Sequence, residues 1–486
     1  MTGEIWRNNA TGLADMIAAG DVSSLEVVDS HLDRIEEVNG WLNAVTRVLA
    51  DEARVAAKDA DKAVAAGDEL GPLHGVPCTI KENVDVAGTP TTQGLPVFAD
   101  LISPTDAPLV ERLRSAGAIP IGRTNLPELG LRISTDNPLH GLTRNPWHPE
   151  RTAGGSSGGE GSAIASGMSP LGLGNDIGGS VRNPAFCCGI TAIKPTHGRL
   201  PAFSVFEHDQ NPALSSQIML TDGPMARSVS DLRTAMGILN GRDIRDPRSV
   251  DVPLDGPDAK RQAAVVKHIP GVDCHPSVIE GIERAASSLA EAGWEIVEST
   301  PPGIDLCSEI WAHLLGADVS LLMDAARPIL SKEMAEALDS GITEQFSREI
   351  ISPDVIHVER SRLAREWSLF FAENPVVIMP TWPHPPFEHG ADIREESRQE
   401  LVETLRFITP ANVLGLPSVA LPVGVSDALP QGVQCVADRW RDDLALEAAG
   451  DIEKSLGRIT PITVSYTHLR AHETVLDLVC RLLLEK

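Results

Sequence analysis

The fold of this chain centres on two clusters, Gly154-Gly155-Ser156-Ser157-Gly158-Gly159 and, a little later, Asp176-Ile177-Gly178-Gly179-Ser180. Both clusters lie within residues 152–199 and hold more glycine and serine than a core element needs. Glycine has no Cβ, so its backbone bends sharply, approaches a ligand closely and leaves N–H groups uncovered. Each cluster carries a serine hydroxyl, and neither contains histidine or cysteine. We therefore expect the chemistry of this protein here.

Size and charge limit the class of protein. The chain has 486 residues, enough to bury a sizeable core and to form a complete enzyme. Its 41 basic and 68 acidic residues give a formal net charge of -27, which argues against nucleic acid or an anionic membrane as a general partner. We find no apolar stretch as long as a membrane span and no signal-peptide pattern in residues 1–10, so we expect a cytoplasmic protein.

The cysteines indicate neither a disulfide framework nor a metal site. Seven cysteines in so long a chain are sparse and irregular, and no Cys/His set has zinc spacing. Cys187 and Cys188 are interpreted as small core residues. We expect no metal and no cofactor.

Apolar periodicity alternates between helix and strand along the chain, which predicts an α/β fold with sheet and helices in layers. Ser23 and Glu26 form a capping box at the start of the second helix. The predicted helices are 11–20, 23–38, 48–66, 107–116, 228–239 and 276–292. The predicted strands are 75–81, 118–122, 168–174, 190–194, 263–266 and 376–379.

Lys81 is the candidate base for a serine nucleophile. A serine hydroxyl attacks only when a base takes its proton, and a lysine can do so only when burial or a nearby positive charge keeps it neutral. Lys81 ends the apolar run 75–81, so we expect it to point inward from a strand end. On local sequence alone, a solvated surface lysine is the favoured interpretation, and helix caps or anion-binding turns explain Ser156 and Ser180.

A competing motif makes Ser156 the nucleophile. Gly154-Gly155-Ser156-Ser157-Gly158 satisfies the G-x-S-x-G pattern of an α/β-hydrolase-type esterase. That pattern requires a strand before the serine, whereas residues 145–151 are polar and contain two prolines. A phosphate loop is disfavoured because neither cluster ends in Gly-Lys-Ser/Thr. The predicted strand 168–174, by contrast, can deliver Ser180 on the turn that follows.

An ordered series of motifs, covering nearly the whole chain to about Ile462, resembles the amidase signature family of serine hydrolases. One cluster alone is weak support, but the ordered set is highly specific. The motifs are Leu42-Asn43-Ala44, Gly75-Val76-Pro77, Lys81-Glu82, Gly122-Arg123-Thr124-Asn125-Leu126-Pro127-Glu128, 154–161, 174–185, Lys194-Pro195-Thr196, 223–229, Met379-Pro380-Thr381, Asn412, Gly415-Leu416-Pro417 and Gly432-Val433-Gln434.

The resemblance implies a proton relay. By motif position Ser180 is the nucleophile, Ser156 is a bridging serine preceded by a cis peptide, and Lys81 is the base. Ser156 follows Lys81 by 75 residues, and Ser180 follows Ser156 by 24, as the resemblance requires. An acyl-enzyme on Ser180 would then be hydrolysed by water.

The resemblance also implies an oxyanion hole and two supporting residues. The donors would be the backbone N–H groups of Ile177, Gly178, Gly179 and Ser180. Asp176 and Arg182 are expected to brace this loop, although a purely structural salt bridge explains them equally well.

The function implied is hydrolysis of a small-molecule carboxylic acid amide to acid and ammonia or amine. One alternative is the A subunit of a glutamyl-tRNA amidotransferase, from whose pattern the chain departs at His197-Gly198-Arg199-Leu200 and Ser215-Ser216-Gln217-Ile218-Met219. Another is a catalytically silent binding protein, which the intact lysine and serines oppose. Similar enzymes often form homodimers, so a homodimer is possible.

The expected organisation is one large α/β domain with a mixed sheet between helices. It would cover residues 1–463, with a signature core at about 70–200 and lid or pocket segments at 201–218 and 302–359. Residues 464–486 resemble translated sequencing-adapter read-through, so we expect a non-native tail. The alternative is a genuine amphipathic helix at 475–484.

Overall fold

The computed structural model describes residues 4–204, 213–346 and 352–462. Within them a single sheet forms the centre of the protein. Its strands are β1 (Val45–Val48), β2 (Pro77–Lys81), β3 (Ile119–Thr124), β4 (Leu171–Asp176), β5 (Thr191–Lys194), β6 (Thr221–Ala226), β7 (Gln262–Val265), β8 (Glu295–Glu298), β9 (Val376–Pro380), β10 (Ser418–Ser426) and β11 (Leu429–Ala437).

Helices connect these strands. They are α1 (Ala10–Ala19), α2 (Ser24–Leu42), α3 (Ala50–Ala66), α4 (Pro108–Ser115), α5 (Gly158–Ala165), α6 (Arg182–Cys188), α7 (Leu214–Met219), α8 (Val229–Leu239), α9 (Pro276–Glu291), α10 (Ile304–Ala326), α11 (Lys332–Phe346), α12 (Pro353–Glu373), α13 (Glu395–Thr404), α14 (Thr409–Val413) and α15 (Asp442–Leu456). Short 3-10 turns lie at Ile5–Arg7, Pro96–Phe98, Glu128–Gly130 and Leu405–Phe407.

The sheet is mixed, with strand order β1-β3-β2-β4-β6-β5-β10-β11-β9-β7-β8. Strand β2 runs parallel to both β3 and β4, so the carboxyl ends of these three strands lie at one edge. Strands β6, β5, β10 and β11 pair antiparallel with their neighbours, and β9, β7 and β8 are again parallel. The edge formed by β3, β2 and β4 carries the site described below.

Both faces of the central strands are buried, which explains their continuous apolar sequences. In β9 all five residues are buried. Val376 and Ile378 belong to one hydrophobic cluster, while Val377 and Met379 belong to another, because successive side chains point to opposite faces. Cys187 and Cys188 are buried core residues, as expected. The α/β fold with a mixed sheet between helices is therefore confirmed.

The predicted elements are present, with small differences at their ends. The capping box is confirmed, since Ser23 Oγ accepts from Glu26 N–H and the Glu26 carboxylate accepts from Ser23 N–H. The helix predicted from Val48 was wrong in its first turn, because Val48 pairs with Gly122 at the end of β1. The β10–β11 hairpin was not predicted, and its pairing shifts register between Pro422 and Gly424, which interrupts the strand pattern.

Helix α10 corrects the expectation that no apolar stretch of the sequence is as long as a membrane span. It has 23 residues and is apolar enough, by length and composition, to cross a membrane. Its residues Ile310, Trp311 and Leu314 are buried in a core cluster. The described part of segment 302–359 contains α10, α11 and the start of α12, joined by turns and loops. Residues 205–212 and the expected tail 464–486 lie outside the described residues. The lid and tail assignments stay predictions.

We expect Asp442→Ala to lower the free energy of unfolding by about 3–5 kcal/mol, because it leaves a buried charge unpaired. Asp442 is fully buried with Arg199 and accepts hydrogen bonds from Arg199 Nε at 2.8 Å and from Thr196 N–H and Oγ1 at 2.8 and 2.7 Å. Urea denaturation of the wild-type protein and of the variant measures the change in the free energy of unfolding. The control is Asp29→Ala, in a partly exposed pair with Arg54, which should change stability far less. Equal losses would contradict this account.

Candidate active site

Lys81 points inward from the carboxyl end of β2. Its side chain is 0% exposed, and Nζ lies 2.8 Å from Ser156 Oγ and 2.6 Å from Asn175 Oδ1. Strand β4 lies parallel to β2, which brings Asn175 beside the end of the lysine. The surface-lysine interpretation is therefore wrong.

Burial changes the acid–base behaviour of this lysine. Removal from water disfavours the ammonium form and lowers the pKa of Lys81 to about 7, although the carboxylates of Asp222, Asp176 and Glu160 oppose the shift. Glu160 is itself buried, and burial raises its pKa to about 7. Its oxygens accept hydrogen bonds from the hydroxyls of Thr79 and Thr124. An amine in this place can accept a proton near neutral pH.

The two glycine and serine clusters are in direct contact. Ser157 N–H donates to the Ser180 carbonyl at 3.0 Å, so Ser156 and Ser180 are held on neighbouring loops. Ser156 is 2% exposed and Ser180 is 6% exposed. The Gly155–Ser156 peptide is cis. A Cβ on Gly155 would lie 2.6 Å from the backbone of residues 133–134, so only glycine fits there.

The loop that carries Ser180 presents backbone donors. The N–H groups of Ile177, Gly178 and Ser180 have no hydrogen-bond partner within the described residues. Gly179 differs, because its N–H donates to Asp176 Oδ1 at 2.7 Å. Three of the four expected oxyanion donors are therefore available, and the fourth is already used to hold the loop.

Asp176 and Arg182 form a fully buried ion pair under this loop. Arg182 Nε lies 3.0 Å from Asp176 Oδ2, and the guanidinium also donates to Asn412 Oδ1 and Gln434 Oε1. Burial alone would raise the pKa of Asp176, but the charge and hydrogen bonds of Arg182 outweigh it and hold that pKa well below its usual range. The pair is braced from two further elements, and it ties the loop that carries Ser180 to them.

The esterase interpretation of Ser156 finds no support in the fold. No strand of the described sheet leads directly into Ser156, because β3 ends at Thr124 and α5 begins at Gly158. The nitrogen at the Ser156 hydroxyl is Lys81 Nζ. His197, which such an enzyme would have to recruit, has its pKa lowered to about 3 by burial and by neighbouring cations. His208 and Asp209, which such an enzyme would also have to recruit as base and orienting residue, lie outside the described residues.

Sequence reasoning did not single out three residues of this site. Asn175 adjoins the predicted loop, and Glu160 is a charged residue inside a glycine and serine segment, so both carried a local signal. Trp311 carried no local signal, and its Nε1–H donates to the Ile177 carbonyl at 2.8 Å. Among the described residues, no group of three or more His, Cys, Asp or Glu could hold a metal ion.

Comparison with known proteins agrees with this geometry. The amidase family profile matches residues 26–446. The indoleacetamide hydrolase of Bradyrhizobium diazoefficiens is 43% identical over 460 residues, covering 94% of this chain and 88% of that protein. The A subunit of the glutamyl-tRNA(Gln) amidotransferase of Salinispora tropica is 31% identical over 490 residues, covering 93% of this chain and 98% of the relative.

A solved structure shows the same likeness. A bacterial aryl acylamidase of the amidase signature family superposes with a TM-score of 0.79 at 26% identity, covering 92% of this chain and 96% of that chain. The indoleacetamide hydrolase is more similar to this chain than the amidotransferase protein is. The chain therefore belongs to the amidase signature family, and it is a hydrolase that acts on amide C–N bonds.

Proposed function

We propose that this amidase hydrolyses the primary amide of an arylacetic acid, through an acyl-enzyme on Ser180 and a proton relay from Ser180 through Ser156 to Lys81. The observation that carries the relay is the 2.8 Å contact between the fully buried Lys81 Nζ and Ser156 Oγ. A neutral amine has one lone pair and two N–H groups. With one N–H given to Asn175 Oδ1, the lone pair is free to face Ser156.

Acylation begins when Ser180 Oγ forms a bond to the amide carbon. Its proton passes to Ser156 as the Ser156 proton passes to Lys81, so the lysine becomes an ammonium. The carbonyl oxygen gains negative charge and is stabilised by the N–H groups of Ile177, Gly178 and Ser180. Gly179 N–H remains with Asp176 and keeps the loop in shape.

The C–N bond then breaks, and the relay runs backwards. Lys81 returns its proton through Ser156 to the nitrogen, so that ammonia leaves as a neutral molecule. A water molecule adds to the ester carbon while its proton enters the relay, and the bond to Ser180 Oγ breaks as that oxygen regains a proton. The products are the carboxylic acid and the restored site.

The arylacetic acyl group is suggested by similarity and by apolar surroundings. The relative with 43% identity is named for indoleacetamide hydrolysis. Near the loop, the Trp311 ring lies against Gly178, and Ile133, Ile177 and Phe387 are partly buried against the same core cluster. An aromatic acyl chain would bury its ring against such side chains. The cytoplasmic location and the homodimer stay predictions.

We expect Lys81→Ala and Ser180→Ala to lower kcat/KM by about a thousandfold or more, and Ser156→Ala to leave a small residual rate, because each removes one member of a coupled relay. Ammonia release from indole-3-acetamide measures the rate. Ser162→Ala is the control, since its hydroxyl on α5 bonds the Arg144 carbonyl outside the relay. A Lys81→Ala enzyme with most of its activity would rule the relay out.

The rate should depend on the charge of Lys81. The amine accepts a proton only when neutral, so kcat/KM should rise with pH through about 7 and then level off. Asn175→Asp would place a carboxylate where Oδ1 now lies 2.6 Å from Nζ, which favours the ammonium. That variant should move the rise to higher pH by roughly 1–3 units. Asn39→Asp, on helix α2 outside the site, should leave it in place. A flat wild-type profile would count against a lysine base.

A substrate panel tests the acyl group. We expect the purified chain to release ammonia from indole-3-acetamide and phenylacetamide with higher kcat/KM than from acetamide, because the ring gains apolar contacts. Intact-mass measurement should detect the acyl adduct, and Ser180→Ala should show none. The glutamyl-tRNA amidotransferase alternative would be supported by a different result. In that case glutamine would be the one amide of the panel that releases ammonia, and it would do so only after amidotransferase partner proteins are added.

A further inference from the structure

We propose that Trp311 is a positioning residue of the oxyanion hole, which orients the Gly178 N–H by holding the Ile177 carbonyl. Trp311 belongs to helix α10, in the segment expected to form a lid, and no part of the relay explains it. The inference rests on the proposed attack by Ser180, because it assigns a task to the loop that receives the oxyanion.

Trp311 makes two contacts with the loop. Its Nε1–H donates to the Ile177 carbonyl oxygen at 2.8 Å. Its ring also lies over the next residue, since a Cβ on Gly178 would be 2.5 Å from ring atom Cζ2. The indole therefore packs against the backbone of the peptide whose oxygen it binds. These contacts hold both ends of one peptide unit.

Because the peptide unit is planar, the hydrogen bond from Trp311 to the Ile177 carbonyl also sets the direction of the Gly178 N–H. In a trans peptide the carbonyl of one residue and the N–H of the next point in opposite directions. When Trp311 holds the Ile177 oxygen, the Gly178 N–H must point away from the indole. That N–H has no partner among the described residues, so it is left as a free donor in the loop.

The other two free donors are held in the same way. The Asp176 carbonyl accepts from Asn412 Nδ2 at 3.3 Å, which orients the Ile177 N–H. The Gly179 carbonyl accepts from Asn183 N–H at 2.7 Å, which orients the Ser180 N–H. Each free N–H thus has an anchored carbonyl on the opposite side of its own peptide. The Trp311 contact is therefore one of three hydrogen bonds that hold the carbonyls of this loop in the same way.

Trp311 differs from the other anchors in its origin. Asn183 lies in α6, directly after the loop, and Asn412 lies in α14 next to the buried Asp176–Arg182 pair. Trp311 comes from α10, so the position of this helix affects the oxyanion donors. Donors oriented before the substrate arrives need no reorganisation during the reaction, which is the source of their catalytic effect. Loss of the anchor should therefore affect kcat more than KM.

Trp311→Phe tests this, because it keeps an aromatic ring and removes the N–H donor. We expect kcat for indole-3-acetamide to fall roughly 10- to 100-fold, below the roughly 100- to 1,000-fold typical of deleting an oxyanion donor itself, with KM changed less than about twofold. Inhibition by phenylboronic acid, whose tetrahedral adduct on Ser180 carries an oxygen into the hole, should weaken by the same factor as kcat/KM.

Trp367→Phe is the matched control. Trp367 is also a buried tryptophan of the same core cluster, and its Nε1–H donates to the Pro302 carbonyl at 2.7 Å, away from the loop. It should keep wild-type kinetics. If Trp311→Phe folds poorly, benzothienylalanine at position 311 keeps the ring shape and replaces the N–H with sulfur, and it should show the same loss of kcat.

The outcomes separate this inference from the proposed function. Unchanged kcat in a folded Trp311 variant would overturn the positioning role, as would a rise in KM alone, which indicates a residue that only contacts the acyl group. An equal loss in Trp367→Phe would overturn it too. Activity retained by Ser180→Ala would instead contradict the proposed function, whatever the Trp311 variants show.

Discussion

Burial of the Lys81 amine accounts for most of the chemistry available at this site. In water a lysine is charged at neutral pH, but at the end of β2 its side chain is fully buried, and its pKa is lowered to about 7. The sheet produces this effect, because β2 lies between the parallel strands β3 and β4 and ends beneath both serine loops. The same burial fixes Nζ between Ser156 and Asn175. An ordinary side chain thereby becomes able to accept a proton near neutral pH.

Burial also requires that nearby charges be paired. Asp176 and Arg182 are both fully buried, and an unpaired charge there would cost several kcal/mol. The pair is joined to α14 and β11 through Asn412 and Gln434. Asp176 also accepts a hydrogen bond from the Gly179 N–H, which leaves the N–H groups of Ile177, Gly178 and Ser180 as the donors of the proposed oxyanion hole. Thus the Asp176 carboxylate both neutralises a buried charge and holds the loop in its conformation.

Short sequence patterns correctly predicted those elements that depend on neighbouring residues in the chain. The capping box at Ser23 and Glu26 marked the start of α2, and the apolar run ending at Lys81 marked β2. Val48 was misassigned because its apolar period continues into α3, while its pairing partner Gly122 lies far along the chain. The β10–β11 hairpin escaped prediction since Pro422 and Gly424 interrupt it, yet pairing with β5 and β9 stabilises both strands. Tertiary contacts outweigh propensity there.

The motifs were enough to identify the family, the candidate nucleophile Ser180 and its candidate partners Ser156 and Lys81, because they are short and occur in a specific order. Three features became visible only in the packed molecule: Lys81 is buried, the Gly179 N–H is occupied, and Trp311 reaches the Ile177 carbonyl. The last contact joins residues 134 positions apart. Such contacts depend on how separate elements pack, and neither helical nor strand periodicity carries that information.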